Sequence, residues 1–598
     1  MRNEVSLCMI VKNEEEYLPQ CLESVKDVVD EIIIIDTGST DRTIDIAKSY
    51  RAKVYPYKWN NNFSEARNES LKYATKDWIL ILDADDELKG QYKDNFKALV
   101  NMELDEKAVY IFETLNYYGD KADNNCITVN LNPRMFRNNR GIHYEGEIHN
   151  QLMYKNNQYD AICNDVKIYH YGYLNKTIKA KDKRNRNISI LNEKIKKEPD
   201  EGFNYFNLGN EYMALGDTRK ALECYYKAYE NFNPLTGFGP ILLLRIIVAN
   251  YNIREYNTAL KFVDIATNNY DKFSDAYFFK ALIYKDLGKI TLQIKALEKC
   301  IEIGEPPAKL KFFYGSGGYK AYYELANVYM LFKDYDMAYK YYSKAIDDNP
   351  DYIDSIYGIG HLLKEKAVPV KEFKETIETF CSTAAKDYSI AAETFYNEGF
   401  YKTALDYVES LQQAGNKSEK LIILKAKCLI RSGEYEKCIN MSTLDEKSDF
   451  YMEFVMYKIL SNISLGKYDD LSALLVSVDQ KTLSDRDNKI FEVCSELIKL
   501  FTNGKSSMLS EDENEKNYIF IILEICEIML INEDFDELKV AVNLLNLINN
   551  KYVLLYLGKL YNAYGYFDFA KKEIIRSIKE FEVYDNESLD ILKSYSYI

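Results

Sequence analysis

A repeated spacing of leucine and alanine in the second part of the sequence constrains the fold more than any other feature. In three places an alanine follows a leucine at an interval of 13 residues: Leu208 and Ala221, Leu325 and Ala338, and Leu557 and Ala570. Small and aromatic residues accompany each pair at helical spacing, as Gly209, Tyr212 and Tyr225 do in the first. Such a pattern is typical of helix pairs that must stack on neighbouring pairs to bury their apolar faces.

The spacing is that of tetratricopeptide repeats, and we predict an all-α tetratricopeptide-type solenoid over residues 201–598. Weaker helix pairs lie between the three clear repeats, and the 10 prolines of the whole chain are few enough for a largely helical region. A division into two sub-arrays near residues 365–390 stays open. Solenoids commonly hold an extended polypeptide on their concave face and often self-associate. A polypeptide partner is therefore expected, and a homo-oligomer is an alternative to a monomer.

Up to about residue 175 the pattern is different, because short β-branched segments alternate with helical ones. The predicted strands lie in EVSLCMIV, EIIIIDTGS, KVYPYKW and WILILDAD, and the predicted helices in EEYLPQCLESVK, TIDIAKSY and EARNESLKYAT. Apolar strands that alternate with helices predict a mostly parallel sheet covered on both faces. We expect a Rossmann-like α/β domain over residues 1–175, joined to the solenoid by a helical segment at residues 176–200.

Composition excludes several classes of partner. The formal net charge of -16, from 93 acidic and 77 basic residues, argues against nucleic-acid binding, which needs positive surface. No apolar run reaches the roughly 18 residues that a membrane-spanning helix requires, and the apolar stretch near the start is too short for a signal peptide. The 11 cysteines are scattered without a CxxC pair, which is typical of reduced thiols. A cytoplasmic protein without an integral membrane segment is therefore expected.

The segment WILILDADDEL, residues 78–88, ends a predicted buried strand in a cluster of carboxylates. An aspartate at such a junction often caps the following helix, and this is the simpler interpretation of an isolated cluster. In a parallel sheet, however, ligands bind beyond the carboxyl ends of the strands, where Asn13, Asp36 and Asp83 are all predicted to lie. Asp83 and Asp85 would then offer oxygen ligands to a divalent cation on a nucleotide diphosphate.

Three of the four histidines, His143, His149 and His170, fall within 28 residues of the predicted α/β domain. Each alone is readily explained by packing. Their proximity to Glu145 and Glu147 favours a site in which imidazole and carboxylate groups act together, and imidazole is a suitable additional ligand for Mn²⁺. Basic side chains that a phosphate group needs occur in the same part of the chain, among them Arg67, Arg134 and Arg184.

Six ordered segments together resemble family 2 glycosyltransferases of the GT-A fold: SLCMIVKNEEEYLPQCLESV, IIIIDTGSTDRT, WNNNFSEARN, WILILDADDEL, RMFRNNRGIHYEGEIHNQL and IYHYGY. The last two are similar to a bacterial subgroup with C-terminal tetratricopeptide repeats, which includes the sublancin-type peptide S-glycosyltransferase and flagellin-modifying glycosyltransferases. The resemblance covers residues 4–230 motif by motif, and beyond them only the helical repeats match. Six motifs in order are more specific than any one, and they favour a ligand site over a helix cap.

The resemblance implies roles for particular residues. The positions that match the nucleotide-sugar pocket of the family are Val11, Asn13, Glu14, Asp36, Arg67, Asn68, Asp83, Ala84 and Arg184. Among them, Asp36 matches an aspartate that pairs with uracil, and Arg184 resembles a basic residue on a segment that closes over the donor. Asp85 and His170 match the metal site. The implied cofactor is Mn²⁺ or Mg²⁺, and the implied donor is a UDP-sugar.

The chain departs from the family at one position. Relatives often carry a glutamate after the histidine that corresponds to His149, whereas this chain has Asn150. If that glutamate is the base in relatives, another group must accept the proton here. Glu145 and Glu147 are the nearest carboxylates in the sequence, so the predicted catalytic group consists of these two residues and His149.

The resemblance implies an inverting, metal-dependent transfer of a hexose or N-acetylhexosamine from a UDP-sugar to a protein or peptide side chain. The acceptor atom would be a Ser/Thr oxygen or a Cys sulfur. Two alternatives stay open: a cell-surface glycan or lipid-linked acceptor, and a non-catalytic repeat scaffold with a vestigial nucleotide-binding domain. The intact pair Asp83 and Asp85 argues against the scaffold, and Asn150 argues mildly for it.

Overall fold

The structure is a computed structural model of the 598-residue chain. It describes residues 2–119, 121–122, 126–147, 150–154, 160–174, 183–382, 387–442, 444–469, 471–476, 478, 480, 483–512 and 515–594. The chain divides into two compact units, Met1–Ser355 and Ile356–Ile598. Among the described residues, none of the helices combines the length and the apolar character needed to cross a membrane.

The first unit begins with a sheet and the helices that cover it. The strands are β1 (Val5–Val11), β2 (Glu31–Asp36), β3 (Lys53–Pro56), β4 (Trp78–Ile81), β5 (Asp86–Glu87), β6 (Ala108–Gly119), β7 (Ile127–Arg137), β8 (His143–Glu145), β9 (Gln151–Met153) and β10 (Asp160–Leu174). The helices among them are α1 (Leu18–Val25), α2 (Thr43–Ser49), α3 (Phe63–Lys72) and α4 (Gln91–Val100). The main sheet has the order β3-β2-β1-β4-β7-β6-β10-β5, and β8 pairs with β9 in a small hairpin.

Burial explains the parallel part of the sheet. β2 and β4 are buried along their whole lengths, as expected for strands with helices on both faces. The strands β3, β2, β1 and β4 run parallel to one another, whereas β7 runs antiparallel to both β4 and β6. The predicted α/β fold with a mostly parallel sheet is confirmed. The strands β5 and β7 run against their neighbours, and both lie where no strand was predicted.

The fourth strand is shorter than the sequence predicts. It ends at Ile81 and does not continue to Asp85, because the chain turns back on itself there. The Asp83 N–H donates to the Asp86 carboxylate at 2.8 Å, and the Asp86 N–H donates to the Asp83 carbonyl at 3.1 Å. The turn leads into β5, which pairs antiparallel with β10 so that Asp86 lies opposite His170. This pairing positions the candidate site.

Helices follow the sheet in the first unit. They are α5 (Lys183–Lys197), α6 (Gly202–Ala214), α7 (Thr218–Glu230), α8 (Gly239–Asn252), α9 (Tyr256–Asn269), α10 (Ser274–Asp286), α11 (Ile290–Ile303), α12 (Tyr319–Leu331) and α13 (Tyr335–Asp348). The next helix, α14 (Asp354–Glu365), begins at the end of the first unit and lies mostly in the second.

The helix pairs confirm the predicted repeats. A Cβ atom on Gly209 of α6 would lie 2.5 Å from the Tyr225 ring of α7, so the glycine allows the two helices to approach closely. The Tyr225 hydroxyl donates to the Asn210 side-chain oxygen at 2.9 Å. In α12 and α13 the Tyr342 hydroxyl makes the equivalent bond to Asn327 at 2.7 Å. The repeat therefore requires a small residue where its two helices approach each other. It also requires a side-chain acceptor for the buried tyrosine hydroxyl.

The second unit is helical. Its elements are α15 (Val370–Phe380), α16 (Ser389–Asn397), α17 (Tyr401–Gln413), α18 (Glu419–Arg431), α19 (Tyr435–Ile439), α20 (Tyr451–Ser464), α21 (Ala473–Val476), α22 (Asp485–Phe501), α23 (Asn517–Ile531), α24 (Phe535–Ala541), a 3₁₀ segment (Val542–Leu547), α25 (Val553–Ala563), α26 (Phe567–Phe581) and α27 (Asn586–Ser594). In α25 and α26 a Cβ atom on Gly558 would lie 2.7 Å from the Ile574 side chain, which is the same close approach as in the first repeat.

The connection between α11 and α12, residues 304–318, attaches the helices of the first unit to its sheet; we call it the docking loop. The Val129 N–H of β7 donates to the Phe312 carbonyl at 2.7 Å. The loop is held from the helical side by the fully buried Asp275 of α10, whose carboxylate accepts the N–H groups of Phe312 at 2.8 Å and Phe313 at 3.0 Å and the hydroxyl of Ser316. The loop therefore gives the buried Val129 amide of the sheet a partner, and Asp275 gives one to the amides of the loop itself.

Candidate functional site

The turn after β2 carries one of the predicted nucleotide-binding residues. The Asp36 carboxylate accepts the N–H groups of Gly38 at 3.1 Å and Ser39 at 3.2 Å. The side chain is buried, and these bonds fix it at the carboxyl end of its strand. Asn13, after β1, has a left-handed φ of 54°, and its side-chain oxygen accepts the Thr40 N–H at 2.8 Å. The two loops are thereby joined.

Val11 and Glu14 complete this group through their backbones. The Val11 carbonyl accepts the Thr37 N–H at 3.0 Å, and the Glu14 N–H donates to the Thr43 hydroxyl at 2.7 Å. The structure therefore brings four predicted residues, from two strand ends, into one cluster of loops. This is the edge at which open α/β sheets bind ligands.

The turn after β4 is held by two arginines. Arg67 of α3 lies 2.7 Å from an Asp83 oxygen, and Arg134 of β7 lies 3.5 Å from the other Asp83 oxygen and 3.1 Å from Asp86. Burial would raise the pKa of Asp83, but the two guanidinium groups hold it well below its usual range. Arg134, considered as a phosphate ligand from the sequence, is buried and used within the protein.

His170 of β10 faces the same turn. Its Nδ1 lies 2.8 Å from Asp86 and 3.6 Å from Asp85. Burial lowers the pKa of His170, but Asp85 and Asp86 outweigh it and raise the pKa to about 9. Asp86 is only 1% exposed. Asp86 was assigned no role from the sequence, although it directly follows Asp85. The run of acidic residues is the sequence feature that indicates it.

Gly172 lies in close contact with these groups. A Cβ atom built on it would lie 2.5 Å from His170 Nε2 and 2.7 Å from Asp85 Oδ2. Because Nδ1 of His170 is engaged by Asp86, Nε2 is the ring nitrogen left for a ligand. One nitrogen and one carboxylate oxygen that both lie next to the glycine are a donor set that suits Mn²⁺. We call this arrangement of His170 Nε2 and Asp85 Oδ2 against Gly172 the Gly172 cradle; its glycine, inside the motif IYHYGY, was not assigned from the sequence.

A second arrangement of ligand atoms overlaps the first. Atoms of Asp83, Asp86 and His170 all lie within 4.8 Å of one another. Two of these carboxylates already contact arginines, and a cation there would compete with those charges. The structure therefore offers two overlapping sets of ligand atoms, both of which include His170.

Three predicted residues have structural contacts. Asn68 donates to the Tyr144 carbonyl at 2.8 Å and accepts the Tyr144 N–H at 2.7 Å, so its amide group fixes strand β8. Ala84 is 3% exposed, and its methyl group packs in the core below the acidic turn. Arg184 of α5 lies 2.8 Å from the buried carboxylate of Glu211 in α6.

The predicted catalytic residues lie on and after the small hairpin strand β8. The Glu145 side chain is 61% exposed and lies 3.0 Å from His143 Nε2. Glu147 is exposed, and its carbonyl accepts the Phe63 N–H at 3.0 Å. Among the described residues, neither hydrogen bonds nor ion pairs join these two glutamates to the acidic turn. His149 lies outside the described residues.

Comparison with known proteins gives matches in both parts of the chain. Residues 6–148 match the family described as Glycosyl transferase family 2. Residues 204–231, 274–303 and 319–352 match the tetratricopeptide repeat. The described fold and the predicted combination of a family 2 domain with tetratricopeptide repeats therefore agree with these matches.

Two curated relatives match part of the chain. The SPbeta prophage-derived glycosyltransferase SunS of Bacillus subtilis is 32% identical over 290 residues, which cover 46% of this chain and 65% of the relative. A TPR repeat-containing protein of Synechococcus elongatus is 34% identical over 227 residues, covering 36% of this chain and 54% of the relative. The chain thus spans less than two thirds of the length of either protein.

A solved structure also matches part of the chain. It is glucosyl-3-phosphoglycerate synthase from Mycobacterium tuberculosis, in complex with Mn²⁺ and UDP-glucose, at 22% identity and a TM-score of 0.16. The match covers 19% of this chain and 44% of the synthase. At this score the likeness carries no argument about the site.

Proposed function

We propose that the protein is a glycosyltransferase that binds a nucleotide-sugar donor, with a divalent cation, at the carboxyl ends of β1, β2 and β4. The observation that carries the proposal is the Gly172 cradle, in which His170 Nε2 and Asp85 Oδ2 lie together against Gly172 beside a turn of three acids. The cradle lies at the edge of a sheet whose residues 6–148 match a glycosyltransferase family.

The residues around this edge have separate tasks in the proposal. The loops of Asn13 and Asp36 would hold the nucleoside, since their bonds fix them at neighbouring strand ends. Asp85 and His170 would hold Mn²⁺ or Mg²⁺, which would neutralise charge that develops on the departing diphosphate. Arg67, by neutralising Asp83 at 2.7 Å, keeps the acidic turn compact without the cation.

The finer assignment follows the resemblance of the sequence. We propose UDP as the nucleotide, a hexose or N-acetylhexosamine as the sugar, and inversion at the anomeric carbon. Glu145 is the favoured base, because its carboxylate is exposed to an incoming acceptor. A polypeptide acceptor is favoured over a glycan, since tetratricopeptide helices follow the sheet directly and such arrays commonly bind polypeptides.

Calorimetry of UDP binding to the full-length protein tests the proposal. We expect UDP to bind in the presence of Mn²⁺ and to bind much more weakly after chelation with EDTA. Asp85→Asn removes a carboxylate charge from the cradle and should lower the Mn²⁺-dependent UDP affinity at least about tenfold, with little change in melting temperature.

A matched control separates this effect from a general loss of charge. Asp94→Asn changes an aspartate of α4 whose side chain is 79% exposed, and it should bind UDP as the unaltered protein does. Absence of Mn²⁺-assisted UDP binding in the unaltered protein would remove the case for the enzyme and leave a repeat protein with an α/β domain. A parallel assay of UDP-sugar hydrolysis with Mn²⁺ reports whether the bound donor reacts.

A further inference from the structure

A bulge near the end of β10 brings Tyr173 to the face of the sheet that carries His170. β10 pairs in parallel with β6, and His170 lies opposite Asn116. Further along the pair, Tyr173 lies opposite Tyr118, so β10 uses three residues where β6 uses two. Asn116 and Tyr118 point to one face of the sheet, because side chains two residues apart in a strand do so. The extra residue of β10 therefore turns Tyr173 to the side of His170.

Contact and exposure distinguish this tyrosine from its neighbours in the two strands. The Tyr173 ring makes an edge contact with the His170 ring, with 5.2 Å between their centroids. Tyr173 is 39% exposed and Tyr118 is 38% exposed, whereas Tyr117 and Tyr171 are buried in an apolar cluster. We call Tyr118 and Tyr173 the tyrosine pair. It presents two aromatic side chains to solvent, and one of them contacts a proposed cation ligand.

The tyrosine pair lies at the same edge of the sheet as the proposed donor site. The strands β1, β2, β4, β6 and β10 all run in one direction, because β7 is antiparallel to both β4 and β6. Their carboxyl ends follow one another in the order β2, β1, β4, β6 and β10, with β7 between β4 and β6. The nucleoside loops follow β2 and β1, the acidic turn follows β4, and the tyrosine pair lies at the ends of β6 and β10.

This order matches the order of the groups in a nucleotide sugar. A nucleoside held by the loops of Asn13 and Asp36 would place its diphosphate toward the acidic turn, and the sugar would extend beyond the turn. His170 is a proposed ligand of the cation that binds the diphosphate. A ring in contact with His170 is therefore within reach of the sugar that the diphosphate carries.

Tyrosine side chains suit contact with a sugar. The face of a tyrosine ring is apolar and carries partial negative charge, and its hydroxyl group can form hydrogen bonds at the rim. One face of a hexopyranose ring consists of C–H groups with partial positive charge, while its hydroxyl groups point outward. We propose that the tyrosine pair forms the platform on which the sugar of the nucleotide-sugar donor packs. The inference rests on the proposed function and assigns two residues to the sugar.

Calorimetry of full-length variants with Mn²⁺ tests the inference by comparing UDP with a UDP-sugar. The UDP-sugar is the one that the unaltered protein binds most tightly among UDP-glucose, UDP-galactose and UDP-N-acetylglucosamine. Tyr173→Ala and Tyr118→Ala each remove one ring, and each should weaken binding of that UDP-sugar about five- to tenfold. UDP lacks the sugar, so its affinity should not change. Tyr173→Phe keeps the ring and should retain most of the affinity for the UDP-sugar.

A matched control removes an exposed tyrosine elsewhere. Tyr388→Ala changes a tyrosine of the second unit that is 41% exposed, and it should leave the affinities for UDP and for the UDP-sugar unchanged. Should Tyr173→Ala not fold, Tyr173→Leu takes its place, because leucine keeps an apolar side chain against His170 but has no ring.

The outcomes separate this inference from the proposed function. If either ring-removing variant binds the UDP-sugar as tightly as the unaltered protein does, the inference is wrong and the proposed function stands. Equal weakening of UDP and UDP-sugar binding also overturns the inference, since the ring would then support His170 and not a sugar. The same holds if the unaltered protein binds UDP with Mn²⁺ but none of the three UDP-sugars. If the unaltered protein binds no UDP, the inference and the proposed function are both wrong.

Discussion

At the scale of single residues, the candidate site depends on one histidine whose two ring nitrogens have different neighbours. Nδ1 of His170 contacts Asp86 at 2.8 Å, while Nε2 borders the Gly172 cradle. Asp86 in turn contacts Arg134. Arg134 therefore orients the carboxylate, and the carboxylate orients the imidazole ring. Fixed ring orientation of this kind is how neighbouring carboxylates tune a histidine ligand.

The close contact of Gly172 with His170 and Asp85 predicts the effect of a larger residue at this position. Gly172→Ala places a methyl group 2.5 Å from His170 Nε2 and 2.7 Å from Asp85 Oδ2, so both side chains must move apart from it. We expect the affinity for Mn²⁺, measured by calorimetry, to fall at least about tenfold while the melting temperature stays close to that of the unaltered protein. Gly237→Ala, at a glycine with open space around it, is the control; an unchanged Mn²⁺ affinity in Gly172→Ala would exclude the cradle as the cation site.

A second residue, Glu31 of β2, supports the sheet on which the site lies. Its carboxylate accepts the Ser6 hydroxyl at 2.6 Å and the Thr75 N–H at 2.8 Å and lies 2.6 Å from Lys53 Nζ. Burial would raise the pKa of Glu31, but these donors lower it to about 2. A lowered carboxylate pKa contributes stability that is present above the unfolded value and is lost as the pH falls toward the folded one.

We therefore expect Glu31→Gln to lower the free energy of unfolding at pH 7 by up to about 3 kcal/mol. The difference from the unaltered protein should shrink steadily between pH 5 and pH 2, where the unaltered carboxylate loses its advantage. Urea unfolding at several pH values measures this. A constant difference across that range would show that the lowered pKa is not the source of the stability. Glu302→Gln, an exposed glutamate, should show no pH-dependent difference.

At the scale of secondary-structure elements, the helix pairs depend on a small residue opposite a large one. Gly209 faces Tyr225, and Gly558 faces Ile574 at the equivalent place in the second unit. The tyrosine hydroxyl of the first pair bonds to Asn210, so the helix interface has both a steric and a polar requirement. Interfaces packed to this density tolerate neither added volume nor an unpaired hydroxyl well.

The steric requirement predicts the effect of a larger side chain. Gly209→Leu cannot fit against the Tyr225 ring without separating α6 from α7, and we expect it to lower the free energy of unfolding by about 1–3 kcal/mol or more. Gly237→Leu adds the same side chain where the structure has open space, and it should change the free energy of unfolding little. Urea unfolding followed by circular dichroism compares the two. Equal effects of the two substitutions would contradict the close approach of α6 and α7.

At the scale of the whole molecule, each compact unit has its own organisation. The second unit is built from helices around an apolar core. The first unit combines the sheet with helices α5 to α13. The docking loop hydrogen-bonds to the sheet from this helical part of the same unit. Lys311 of that loop lies 3.1 Å from Glu113 of β6, whose other oxygen is 3.1 Å from Lys167 of β10. Buried charges that pair across an interface hold its register, because unpairing either is costly.

This arrangement predicts a local opening when the pair is broken. Lys311→Met leaves Glu113 with one cation, and we expect faster hydrogen exchange at the Val129 amide, which bonds to the docking loop at 2.7 Å. Exchange in the buried strand β2 should not change. Lys280→Met breaks a more exposed pair with Asp264 in the same helical region and is the control. Unchanged exchange at Val129 would show that the charge pair does not hold the loop.

The sequence by itself determined the class of each part of the protein. Alternating apolar segments predicted the first four strands and the helices between them, and the 13-residue interval predicted the repeats, because these patterns are properties of residues close together in the chain. It also directed attention to the acidic run at residues 83–86 and to His170. The parallel strand ends that bring Asn13 and Asp36 together follow from the same rule.

Tertiary structure alone decided how the site is assembled. The antiparallel pairing of β5 with β10 places Asp86 beside His170, 84 residues further along the chain. Only in that pairing does Gly172 lie against both His170 and Asp85. Such contacts between distant residues depend on the register of strands and the packing of helices, which local patterns do not encode.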